Sequence, residues 1–156
     1  MLNSNDKHEL KIRRLHPLIG AEVTNVDFKE PLQASIVEKI HQAWMDYQIL
    51  VFPSQKISDE QHVAVTRNFG EPEIFHQSII KSKFVKEIFR VSNTDEDGRL
   101  MPQSHPIQQQ LSSAKKWHTD SSYRPIPAMG SLLHGIQVSR TGGLTCFTNM
   151  YEVYDA

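Results

Sequence analysis

The chain has 156 residues, enough for one domain with a sizeable core, and its 38% apolar and 22% charged content belongs to a folded chain, not a disordered one. A formal charge of -1 excludes a strong field for nucleic acid or an anionic membrane, and the clusters Lys11/Arg13/Arg14 and Lys81/Lys83/Lys86 read as solvated faces. The single cysteine, Cys146, excludes an internal disulfide, and no apolar run suits a signal peptide or a membrane span, so a soluble cytoplasmic protein is expected.

In chain order, residues 11–15 and 21–26 read as short strands separated by His16-Pro17 and Gly20, with Val23, Val26 and Phe28 as core candidates. Ser35 and Glu38 have capping-box spacing, and Ile36, Val37, Ile40, Ala43, Trp44 and Tyr47 then form one apolar stripe, predicting a helix over 35–47. The run Ile49-Leu50-Val51-Phe52, stopped by Pro53, suits a buried strand. Ser58 with Gln61 opens a second helix that ends near Gly70. Residues 84–92 partly alternate and are expected to form a strand, followed by a turn at Asp95-Glu96-Asp97-Gly98 and a long polar loop over 99–116. Strands are expected at 131–138 and 144–148, joined through a Gly142-Gly143 turn. The segment from Asn149 to Ala156 reads as the opening of a helix that the sequence does not close. Helices followed by strands give an α+β class whose second half is mainly β.

The triplet His118-Thr119-Asp120 carries the chemistry. On a strand, residues two apart share a face, so one imidazole and one carboxylate would converge. These are two of the three ligands in the two-His, one-carboxylate facial triad of non-haem Fe(II) oxygenases, which leaves three coordination positions open. The triplet alone is weak, because eight histidines and eighteen acidic residues make a chance match common; a surface histidine beside a turn-capping aspartate is then the commoner outcome.

The surroundings are more specific. Trp117-His118-Thr119-Asp120 is followed by Pro125 and Pro127, by Gly142, Gly143 and Thr145, and by Met150 and Tyr154. Upstream stand Gly20-Ala21-Glu22-Val23 running to Asp27, Leu50-Val51-Phe52 with Gln55, and Asn68-Phe69-Gly70. These motifs, in this order, resemble the taurine dioxygenase and chlorophenoxyacetate dioxygenase (TauD/TfdA) family across essentially the whole chain. Ser92-Asn93 before the Asp95–Gly98 turn is closer to the chlorophenoxyacetate branch.

The resemblance implies an Fe(II)-dependent dioxygenase with α-ketoglutarate and O2 as co-substrates, acting on a small anionic organic molecule. His118 and Asp120 match the first two iron ligands, and Thr145 matches the threonine that binds a co-substrate carboxylate. Trp117 is expected to pack beside the metal strand. His76, Lys81 and Asn93 are candidates for holding the substrate anion, each with surface exposure as the plain alternative. The implied fold is part of a double-stranded β-helix (jelly roll) with flanking helices, residues 1–156 forming the N-terminal part of one dioxygenase domain. The second histidine ligand and the arginine that clamps α-ketoglutarate are expected beyond position 156. His134 lacks the context of that second ligand. Leu144 stands where the family usually has Asp, and Pro53 where it usually has Arg. Two other readings stay open: a catalytically inactive truncated fragment or pseudoenzyme, and a cupin-like binding protein. Self-association is open as well.

Overall fold

The computed structural model describes residues 9–74, 85–95, 97–112 and 116–156. It divides into two compact units, one formed by Met1–Gly70 with His134–Ala156 and the other by Glu71–Leu133.

The first unit is built on a three-stranded mixed sheet in the order β1-β2-β3. Strand β1 (Lys11–Arg14) pairs antiparallel with β2 (Ala21–Thr24), with Ile12 opposite Val23. Helix α1 (Ala34–Tyr47) then returns the chain so that β3 (Leu50–Val51) pairs parallel with β2. A parallel pair needs such a crossover, because a tight turn can only join antiparallel neighbours. The return is tied by backbone bonds from Gly20 N to Tyr47 O at 2.8 Å and from Ala21 N to Ile49 O at 2.9 Å. Gly20 sits at φ +89, where a side chain would be strained.

The stripe predicted for α1 faces inward: Ile40 and Ala43 are buried, and Ile36, Val37, Trp44 and Tyr47 are half-buried. With Leu10, Ala21, Val23, Phe28, Val63 and Val65 they form the apolar core. Phe28 stacks at a tilt on Phe52, 4.8 Å between ring centres, and Trp44 meets Phe69 edge-on at 6.4 Å. The capping box expected at Ser35 does not form. The helix starts one residue earlier, with Gln33 as its N-cap and no side-chain cap bond, which places Ser35 inside the first turn.

The second expected box does form. In α2 (Asp59–Thr66), Gln61 N donates to Ser58 Oγ at 3.2 Å and Ser58 N donates to Gln61 Oε1 at 2.9 Å. Ser58 Oγ also donates to Glu60 Oε2 at 2.7 Å, and this bond, with one from the Glu60 backbone, holds the Glu60 carboxyl below the ordinary carboxylate range.

Beyond Gly70 three expectations need correction. Residues 85–92 form no strand; this stretch carries a turn and a single bridge residue, Phe89. The polar loop holds a helix, α3 (Pro106–Ser112), in which no residue is fully buried and only Ile107 and Leu111 are apolar, too short a pattern to announce it. Residues 131–138 and 144–148 are irregular. A strand exists only as a ladder with a neighbour, and no described residue pairs with either segment. Their side chains are accordingly in the open: Ile136 is 76% exposed and Val138 78%. The described residues thus form an α+β arrangement with a small sheet in place of a mainly β second half.

Two turns stand as expected. Gly98 at φ +77 and the Thr94–Leu100 bridge close the turn after Thr94, and Gly142 and Gly143 take φ +74 and +65. Helix α4 (Met150–Asp155) opens on Asn149, whose Oδ1 accepts from Tyr151 N at 3.0 Å while its Nδ2 donates to Leu18 O at 2.7 Å.

Candidate metal-donor site

His118 and Asp120 lie in the second unit. They are not on a strand: residues 117–119 are irregular and 120–123 form a turn. The two side chains nonetheless meet, with His118 Nε2 at 3.2 Å from Asp120 Oδ1. The turn does what strand alternation was expected to do. Ser121 takes φ +53, uncommon for a residue other than glycine, and Arg124 N donates to Ser121 O at 3.1 Å.

Each ring and carboxylate atom of the pair is accounted for. His118 Nδ1 lies 2.7 Å from Lys116 O. A carbonyl oxygen only accepts, so Nδ1 carries a proton and Nε2 is the ring atom turned toward Asp120. The approach of Nε2 to Oδ1 is an ion pair when Nε2 also carries a proton, and leaves a nitrogen and an oxygen donor side by side when it does not. Asp120 Oδ2 accepts from Ser131 Oγ at 2.6 Å. The side chains of His118 and Asp120 are 48% and 59% exposed, open to an incoming ion.

The turn is braced from far upstream. Glu73 Oε2 accepts from Ser121 Oγ at 3.0 Å, and Glu73 Oε1 pairs with the Arg124 guanidinium. The Arg124 guanidinium also lies over the Tyr123 ring, 5.8 Å from its centre. Both partners of the ion pair are about two-thirds buried. Replacing Glu73 with Gln keeps the acceptor for Ser121 and removes the charge facing Arg124. The expected cost is about 1 kcal/mol, and about 2 kcal/mol for Glu73→Ala, which removes both contacts. Urea unfolding midpoints of the two variants, in that order of severity, check the brace.

The other expected site residues are distributed differently. Thr145 is exposed on an irregular stretch of the first unit. Asn93 is exposed and its backbone carbonyl accepts from Met101 N at 2.9 Å. His76 and Lys81 lie outside the described residues. Trp117 does not pack as expected; it is 71% exposed, because no strand forms beneath it. His134 belongs to the first unit, where its Nε2 donates to Gln55 O at 3.0 Å and its ring meets His62 edge-on. Among the described residues no three His, Cys, Asp or Glu side chains gather into a metal-sized group. Leu144, at the position of the family's usual Asp, is exposed. Sequence reasoning missed Ser131 and Glu73, whose partners lie 11 and 48 residues away and form no local motif.

An imidazole and a carboxylate two residues apart, with converging donor atoms, are part of the donor set of the non-haem iron oxygenases. Comparison with known proteins leads to that class independently. The chain is 33% identical over 147 residues to an (S)-phenoxypropionate/α-ketoglutarate dioxygenase of Sphingobium herbicidovorans, covering 93% of this chain and 47% of that protein. It is 32% identical over 146 residues to the α-ketoglutarate-dependent 2,4-dichlorophenoxyacetate dioxygenase of Cupriavidus pinatubonensis, covering 91% of this chain and 50% of that one. A crystal structure of AAD-2 in complex with Mn(II) and N-oxalylglycine matches at a TM-score of 0.65 and 30% identity, over 77% of this chain and 39% of the other. The profile of the taurine catabolism dioxygenase TauD, TfdA family matches residues 11–156, and the chain belongs to that family. It spans about half the length of the curated relatives it matches.

No helix among the described residues is long and apolar enough to cross a membrane.

Proposed function

We propose that this chain provides two of the iron ligands of an Fe(II)- and α-ketoglutarate-dependent dioxygenase that hydroxylates a small carboxylate of the aryloxyalkanoate kind. The observation that carries the reading is the 3.2 Å approach of His118 Nε2 to Asp120 Oδ1. From these positions the imidazole nitrogen and the carboxylate oxygen would both reach one Fe(II) ion. The donor types suit iron, and the Lys116 carbonyl holds the imidazole in the tautomer that ligation needs.

When bound, Fe(II) with α-ketoglutarate supplies the redox chemistry: O2 is consumed in converting the keto acid to succinate and CO2 and in placing one oxygen in a C–H bond of the substrate. The protein supplies position. His118 and Asp120 would hold the ion, and the braced turn from Ser121 to Arg124 keeps the two side chains in register. Thr145 offers a hydroxyl to a carboxylate of the co-substrate. His76, Lys81 and Asn93 are the candidates for holding the substrate anion. A jelly roll that pairs the segments 131–138 and 144–148 is the fold this reading requires, with residues 1–156 forming part of a single dioxygenase domain.

The relatives support the choice of branch. Two of the most similar are named for phenoxyalkanoate substrates, and Ser92-Asn93 with the following turn resembles the same branch. The test is succinate release by the intact gene product with Fe(II), α-ketoglutarate and O2, comparing aryloxyalkanoates with taurine. Turnover of an aryloxyalkanoate in excess of taurine is expected. Turnover of taurine alone would move the protein to the other branch, and an absence of succinate with every acid would favour an inactive member.

A further inference from the structure

We propose that Ser131 is a positioning residue that restricts Asp120 to one-oxygen ligation; the proposal rests on the metal reading above. A carboxylate offers two oxygens, and either one or both can bind an ion. In a facial set the difference matters. Three protein donors leave three positions, and a bidentate keto acid with O2 needs all of them. A carboxylate that chelates takes one of those positions for itself.

The Asp120 carboxylate is already divided. Oδ1 faces His118 Nε2 at 3.2 Å, and Oδ2 accepts the Ser131 hydroxyl proton at 2.6 Å. A bond that short between a hydroxyl and a carboxylate oxygen is charge-assisted, and it engages the oxygen that chelation would require. It also sets the carboxylate plane, because Oδ1 and Oδ2 cannot rotate independently. Ser131 therefore acts on the open coordination positions without touching the ion, its co-substrate or O2.

The probe is Co(II), titrated into the intact gene product, followed by α-ketoglutarate titrated into the Co(II) form, each read from the visible spectrum. In Ser131→Ala, chelation by the freed Oδ2 compensates for the lost orientation, so Co(II) affinity stays within about threefold of the parent, while α-ketoglutarate binds about tenfold more weakly, in the range of outer-sphere effects. Ser131→Thr keeps the hydroxyl and returns α-ketoglutarate affinity to within about twofold. A general loosening of the fold would lower both affinities together and would not be rescued by threonine.

Three results overturn the proposal alone: unchanged α-ketoglutarate affinity in Ser131→Ala, an equal loss of both affinities, or a Ser131→Thr variant as impaired as the alanine. Asp120→Ala serves as the control and is expected to lose Co(II). Retention of Co(II) in that control would overturn the metal reading and this proposal with it.

Discussion

Replacing either His118 or Asp120 with alanine is expected to abolish the visible charge-transfer band that forms when Fe(II) and α-ketoglutarate are added anaerobically to the intact gene product. The two side chains stand 3.2 Å apart and would hold the ion together, so loss of either leaves the other without its neighbour. The loss should exceed the roughly 10–100-fold change that outer-sphere substitutions cause, because a ligand itself is removed. Asp120→Asn is a sharper probe. It keeps shape and one acceptor oxygen but loses the negative charge that balances the ion, and it is expected to fail nearly as completely. Both side chains are about half exposed, so none of these changes should lower the unfolding midpoint appreciably. A band of normal strength in both alanine variants would end the assignment.

Gln55→Ala is expected to destabilise the first unit by about 2–3 kcal/mol. Gln55 Oε1 accepts from Phe28 N at 3.0 Å, and its Nε2 donates to Val26 O at 3.0 Å. One amide thus satisfies a donor and an acceptor on the segment leading into the Phe28–Phe52 contact, with Phe28 itself buried. Alanine leaves both backbone groups without partners where water reaches them poorly, and each such loss costs about 1–3 kcal/mol when buried and less when half-buried. In a chain of this size that corresponds to a fall of roughly 5–10 °C in Tm. Gln55→Glu retains one acceptor oxygen but opposes a second to the Val26 carbonyl, so it should be no better than alanine. A midpoint shift below about 0.5 kcal/mol in thermal or urea unfolding would show that water replaces the amide at no cost.

The local elements of the first unit were legible because their signals are local. The α1 stripe repeats within thirteen residues, and the Ser58–Gln61 box closes within one turn. Register and partnership were less legible. The segments 131–138 and 144–148 carry strand composition, yet a strand is a property of two segments, and neither has a partner among the described residues. Helix α3 gave little period because it is seven residues long with only Ile107 and Leu111 apolar, and both are half-buried. At the candidate site, His118 and Asp120 could be singled out because a single residue, Thr119, separates the donors. Their convergence has a different cause from the one the alternation rule supplied: a turn with Ser121 at positive φ in place of a pleat. Ser131 and Glu73 could not be read at all, because a serine or glutamate acquires meaning only from the group that the fold sets against it.

Among the described residues, every buried apolar side chain lies between Leu10 and Val65, whereas His118, Asp120, Ser131 and the Glu73 brace lie between residues 71 and 133. Changes at the exposed side chains of the second stretch remove none of the buried apolar surface gathered in the first, so each costs little stability. A lineage with this division can explore new substrates by drift in one segment while selection for persistence acts on another, which suits a family whose members differ in the acids they attack.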